Sequence, residues 1–193
     1  MGRKLPIAFL LAPLLVALAA HRQAPAPASA AFQAFQQRVD SYTALRAKLT
    51  KDLPPLPGRA TPEQITTHKT ALVSALKKAR AGAQPGDIFV VSARPELIRI
   101  VRAQTQGPQG ASARRTIMAD NPSKPGDPTK VKVAVNAAYP SGEPVSTMPP
   151  ELLLKLPPLP EGLEYRFVGR TLILHDRDAN LIVDFIPEPP PGT

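Results

Sequence analysis

Between residues 162 and 186 apolar and polar positions alternate in three short runs, punctuated by Gly169-Arg170 and by residues 176–180. This pattern predicts three antiparallel strands, over 163–168, 171–175 and 181–186. Leu163, Tyr165 and Phe167 share one face of the first run, and Leu181, Val183 and Phe185 share one face of the third. Glu164, Arg166 and Asp184 fall opposite, so one side of the meander is expected to pack on helices and the other to meet water.

The N-terminal half repeats with a helical period instead. Phe32, Phe35, Val39, Tyr42, Leu45 and Leu49 recur at intervals of three and four, which predicts a helix over 30–50, ended by the Leu-Pro-Pro-Leu-Pro-Gly run at 53–58. Thr61-Pro62-Glu63-Gln64 opens a second helix with a capping box, an inner face of Ile65, Leu72, Ala75, Leu76 and Ala79, and Gly82 as its stop. The two pack as an antiparallel hairpin. Residues 87–92 read as a short strand or an extended lead-in to a third helix over 93–104, with Leu97, Ile98 and Val101 facing inward.

Residues 107–128 are rich in Gly, Pro, Ser and Asn and predict a long loop. Val131, Val133 and Val135 then alternate with polar or small neighbours, which predicts a half-buried strand over 130–136. A short helix carrying Leu152, Leu153 and Leu156 leads through a second Leu-Pro-Pro-Leu-Pro run, at 156–160, into the meander. The expected class is α+β: an N-terminal helical hairpin plus third helix, then a small antiparallel sheet with a C-terminal three-stranded meander.

Composition adds the compartment. Arg3 and Lys4 precede an apolar run over 5–20 with small residues at its end, the pattern of a secretory signal peptide, so the protein is expected to be exported, periplasmic or secreted. Residues 21–29 form an Ala/Pro tether, 30–186 a single α+β domain (helical over 30–106, loop over 107–129, β over 130–186), and 187–193 a solvated tail. The 25 prolines make extended joints between elements a large part of the chain. With no cysteine, neither a lipoprotein anchor nor a disulfide can form.

The wording of residues 136–186 is specific: a Tyr-Pro turn at 139–140, Met-Pro-Pro-Glu-Leu-Leu at 148–153 and Leu-Glu-Tyr-Arg-Phe-Val-Gly at 163–169. Together with Gly-Asp-Ile-Phe at 86–89, it resembles a family of short uncharacterised exported bacterial proteins that end in such a β-hairpin. The resemblance runs from about residue 30 onward and implies export, with no function or site residue to carry over.

Candidate chemistry is sparse. Asp176, Asp178 and Asn180 begin like a calcium loop, but Leu181 stands where such a loop needs glycine, and the closing Glu is replaced by Pro187. His175 and Asp176 are neighbours on a strand and point to opposite faces, so they cannot form the orienting pair of a triad. His68 reads as a packed or boundary residue of the second helix, and no metal or cofactor motif is present.

Charge is the stronger signal. Residues 30–115 hold 14 Lys/Arg against 5 Asp/Glu, whereas residues 116–193 hold 7 against 10. Lys69, Lys77 and Arg80 lie along one side of the second helix, Arg99 and Arg102 are neighbours on the third, and Arg114-Arg115 follow. These seven form the candidate anion- or partner-binding set, for an unidentified envelope component or protein partner, with peripheral membrane contact included. Nucleic acid is excluded by the expected export and by basic stretches without interleaved aromatics. The expected function is therefore a non-enzymatic binding or structural module of the envelope. The alternative is an envelope hydrolase using a carboxylate pair drawn from Glu96, Asp120, Glu143 and Glu164.

Overall fold

A computed structural model describes residues 30–123 and 129–187, so the expected leader and tether, and all of the tail but Pro187, lie outside the described residues. The order of elements is α1 (Ala30–Lys51), α2 (Pro62–Ala79), α3 (Arg94–Thr105), α4 (Ala111–Ala119), β1 (Ala137–Ala138), α5 (Pro150–Leu153), β2 (Leu163–Val168), β3 (Thr171–Asp176) and β4 (Leu181–Ile186). The four strands form one antiparallel sheet in the order β1-β4-β3-β2, which confirms the α+β class and the C-terminal meander. Among the described residues no helix is long and apolar enough to cross a membrane.

Local signals set the helices. Thr61 caps α2 as its sequence requires: its hydroxyl accepts the Gln64 amide at 3.3 Å, and the Gln64 side chain accepts the Thr61 amide at 2.9 Å. Phe35, Val39 and Tyr42 bury one face of α1, and Leu72 and Leu76 one face of α2. Ile65 stays 39% exposed and Ala79 is exposed, so α2 buries its middle turns and leaves both ends of the expected face in water.

One buried cluster draws on both halves of the chain. At its centre Phe35 of α1, Phe89 of the α2–α3 connection and Tyr165 of β2 stack, with ring centroids 5.6, 6.5 and 6.4 Å apart. The helices and the sheet therefore share a core.

The hairpin turn between β2 and β3 places Gly169 at φ 59, at the first central position, where a left-handed residue matches the strand twist. Between β3 and β4 the register shifts at Leu174/His175: Leu174 faces Asp184 while His175 faces Ile182, leaving Val183 as the extra residue of a bulge. The bulge reverses the alternation expected of β4. Leu181 and Val183 lie on the helix side, but Asp184 joins them, and Phe185 passes to the other face beside Ile173 and Ile182.

That other face is covered rather than open. Val131 and Tyr139 pack on Val168, Ile173 and Ile182 in a second buried cluster. The stretch expected as a strand over 130–136 provides this cover without joining the sheet as a strand. Its Val131 is buried as the alternation requires, but pairing is confined to Ala137–Ala138, because Asn136 turns left-handed at φ 61 and gives its amide N–H to Ile182 O at 2.8 Å. Burial of alternate valines needs only a surface, whereas a ladder needs continuous extended backbone.

Two further expectations change. The loop expected over 107–128 contains α4, whose Ala113 and Ile117 are buried four residues apart; the flanking glycines and prolines hid a two-turn amphipathic segment. Residues 87–92 form turns rather than a strand, with the Asp87 N–H on Gln84 O and the Ala93 N–H on Val90 O. In the short helix Leu152 and Leu156 are buried, while Leu153, expected with them, is 45% exposed.

Candidate functional site

The charged side chains divide into those that hold the fold together and those that face outward. Asp184 is fully buried and accepts four backbone N–H groups. Gly86 and Phe185 give theirs to Oδ1 at 2.9 and 2.8 Å, and Ile88 and Phe89 theirs to Oδ2, each at 2.8 Å. The Gly-Asp-Ile-Phe motif is thus a nest of amide donors closed on a carboxylate of β4. Gly86 sits at φ 98 with the Arg94 guanidinium against it, where a Cβ would lie 2.1 Å from Nη2.

Asp176 plays the same part for α1. Its Oδ2 accepts the Tyr42 hydroxyl at 2.6 Å, Arg46 approaches Oδ1 at 3.2 Å, and Oδ1 also accepts the Asp178 and Ala179 amides at 3.0 and 2.9 Å. The carboxylate that began the calcium-like pattern is committed to its own turn and to α1. Burial, then the charge of Asp176, pushes the Tyr42 hydroxyl far above its ordinary range.

Arg80, one of the seven candidate cations, turns inward. It donates to Asn136 Oδ1 at 2.6 Å and to Val183 O at 3.0 Å and lies 5.1 Å from the centre of the Tyr42 ring. Burial pulls its guanidinium below the usual range, against the opposing effects of Tyr42, Asp184 and Asp87. Its place is in the joint between α2 and the sheet, because the carbonyl freed at the β4 bulge needs a donor. Arg114, though exposed, donates to Thr105 O and, at 3.1 Å, to Gly107 O, tying the end of α3 to α4. Lys69, Lys77 and Arg115 are exposed.

On the covered face of the sheet, His175 is buried between Glu164 Oε1, 2.9 Å from Nδ1, and Asn180 Oδ1, 3.1 Å from Nε2. The Asn180 amide donates to Tyr139 O at 2.7 Å, so its oxygen is left to accept. Both ring nitrogens therefore have a side-chain oxygen partner. Arg166 Nη2 meets the other Glu164 oxygen at 2.7 Å, and the His175 and Tyr139 rings lie 5.3 Å apart. The partner of His175 is thus Glu164 across the strand pair, not its neighbour Asp176.

Burial raises the Glu164 carboxyl, but the hydrogen bonds and charges of His175 and Arg166 outweigh it and hold the group at about 2, below its ordinary 4.5. A folded-state value below the unfolded one means stability present above 4.5 and lost as pH falls toward 2. Because Glu164 is partly exposed and solvent screens its pairs, wild type is expected to lose roughly 1–2 kcal/mol more than Glu164→Gln between pH 6 and pH 2 in urea denaturation. Parallel profiles for the two proteins would remove the network's contribution.

The other candidate acids are also engaged: Glu96 with Arg99, Glu143 with Lys130 at 3.5 Å, and Asp120 with the Thr147 hydroxyl at 3.2 Å. A cleft of about 280 Å³ beside β2 is lined by Met148, Leu153, Pro157 and Leu159, with Glu164 as its one carboxylate among the described residues.

A larger groove, about 670 Å³, runs along α3. Val91, Pro95 and Ile98 supply its apolar surface, and Arg94, Arg99 and Arg102 its charge. Val91 is 82% exposed. Arg94 is held at the start of the groove by its Nε–H on Phe89 O at 2.9 Å, and Arg99 pairs with Glu96 at 2.8 and 2.6 Å, which lowers the Glu96 carboxyl and raises the guanidinium. Of the seven candidate residues, Arg99 and Arg102 come together here. Arg94 was missed, although it stands eight residues before Arg102 on the same helix, close to two full turns.

The class that fold and surface define is an α+β protein whose helical half carries a basic, partly apolar groove. No protein-family model matches the chain, and no curated protein or solved structure matches it.

Proposed function

We propose that this chain is an exported, non-enzymatic binding module of the cell envelope that presents its basic helical half to an envelope component or protein partner. The observation that carries the reading is the α3 groove, where Arg94, Arg99 and Arg102 flank exposed apolar surface. The charge split between residues 30–115 and 116–193, the leader pattern over 1–20 and the resemblance of residues 136–186 to short exported bacterial proteins support it.

The full chain mixed with envelope fractions of a host bacterium is expected to sediment with them at low salt and to be released as ionic strength rises, since exposed charges lose their reach beyond about 10 Å at 0.1 M. A chain that stays in the supernatant at every salt concentration would overturn the reading.

A further inference from the structure

The α3 groove combines two features that select for different parts of one ligand. Its cations are spread along the helix: Arg94 and Arg102 stand eight residues apart, about 12 Å at 1.5 Å per residue, with Arg99 between them. Its apolar groups, Val91, Pro95 and Ile98, run beside that row. We propose that the groove docks an acidic amphipathic segment of a partner protein, one that carries carboxylates about two helical turns apart and an apolar side chain between them. The proposal rests on the binding-module reading above and names its partner class.

Charge complementarity supports this occupant over the other anions. A bilayer spreads its headgroup charge over a flat surface, whereas a groove along one helix fits a rod-like segment. A polyphosphate or polysaccharide chain has a spread charge but nothing to set against Val91, whose exposed side chain gains only from an apolar partner. An acidic helix offers both, because residues i and i+7 share a face about 10 Å apart and i+3 or i+4 lies between them. Guanidinium groups also match carboxylates with two parallel hydrogen bonds.

The internal ion pair does not block this. Glu96 and Arg99 form an exposed pair, with side chains 35% and 66% accessible, and such pairs hold together weakly enough for a partner carboxylate to replace Glu96. Arg94 lines the start of the groove with its Nε–H on Phe89 O and its guanidinium against Gly86.

The test uses a fluorescent synthetic helical peptide with Glu at positions two turns apart and Leu between them, measured by anisotropy against the full chain. Controls are the same peptide with Gln for Glu, the same peptide with Ser for Leu, and vesicles of phosphatidylglycerol. The Glu/Leu peptide is expected to bind at low salt at least ten-fold more tightly than either control peptide. The double variant Arg99→Glu with Arg102→Glu, and separately Val91→Asp, should each weaken it at least ten-fold while circular dichroism stays that of wild type.

Equal binding of the three peptides, or binding unchanged in both variants, would overturn the proposal. Capture by vesicles without capture by the Glu/Leu peptide would also overturn it and assign the groove to lipid. If the chain still sediments with envelope fractions while the groove variants behave as wild type, the groove assignment fails and envelope binding passes to another surface of the basic half. If sedimentation is absent while the peptide binds as expected, the partner class stands and the envelope location fails.

Discussion

Asp184→Asn is expected to destabilise the folded chain by about 3–5 kcal/mol, a large part of the 5–15 kcal/mol that holds a typical domain together. The carboxylate accepts four amide N–H groups with two oxygens, at 2.8 to 2.9 Å, and is itself fully buried. An amide keeps one of those oxygens and turns an NH₂ group toward the remaining donors. Two backbone N–H groups are then buried without an acceptor, each at a cost of about 1–3 kcal/mol. The substitution is nearly isosteric, so the loss reads hydrogen bonding rather than volume. Urea denaturation followed by circular dichroism measures it, and a variant within 1 kcal/mol of wild type would show that the nest holds its shape without the carboxylate. Asp184→Ala should unfold the chain more completely, because it leaves all four donors without the carboxylate.

Phe89→Ala is expected to cost a comparable amount, about 3–5 kcal/mol, through a different mechanism. Phe89 is fully buried and stacks on both Phe35 and Tyr165, so its removal opens a cavity where α1, the α2–α3 connection and β2 meet. Because its amide donates to Asp184, the ring and the carboxylate hold the same segment from two sides. Neighbouring substitutions of this kind do not add, so the double variant Phe89→Ala with Asp184→Asn should lose less than the sum of the single losses. Phe89→Leu fills most of the space and should recover more than half of the single loss. A Phe89→Leu variant no more stable than Phe89→Ala would mean that ring stacking, not filled volume, is the dominant part.

The contrast between these sites and the groove explains why the candidate cations separate as they do. Arg80, Arg99 and Arg102 look alike in a charge count. Arg80 lies at the end of α2 where β4 bulges, and a buried carbonyl there accepts its guanidinium. Arg99 pairs with Glu96 on its own helix and remains accessible. Net charge identified the basic half, but each cation's role depends on which backbone groups the fold leaves without partners.

Much of the architecture was legible where the signal is local. The three strands of the meander fall where alternation and turn residues place them, β3 extending one residue further to Asp176, and α1, α2 and α3 within one or two residues of their periodic runs. Capping at Thr61 follows from four consecutive residues. The helix α4 escaped because nine residues between glycine- and proline-rich flanks give too few turns for a period to stand out. The Glu164–His175 pair escaped because cross-strand neighbours follow from register, which the hairpin turn sets, and not from adjacency in the chain.

By itself the sequence determined the class of the protein, its helical hairpin, its C-terminal meander and the uneven placement of its charge, because each depends on periodicity or composition within a short window. The tertiary structure decided what those charges do. A single extra residue at Val183 turns Asp184 into the core, draws the Gly-Asp-Ile-Phe turn onto it and calls Arg80 inward, while α3 is left with Arg94, Arg99 and Arg102 along an open groove. Strand register and buried hydrogen bonding join residues about a hundred positions apart, and no local pattern encodes a contact whose other half lies elsewhere in the chain.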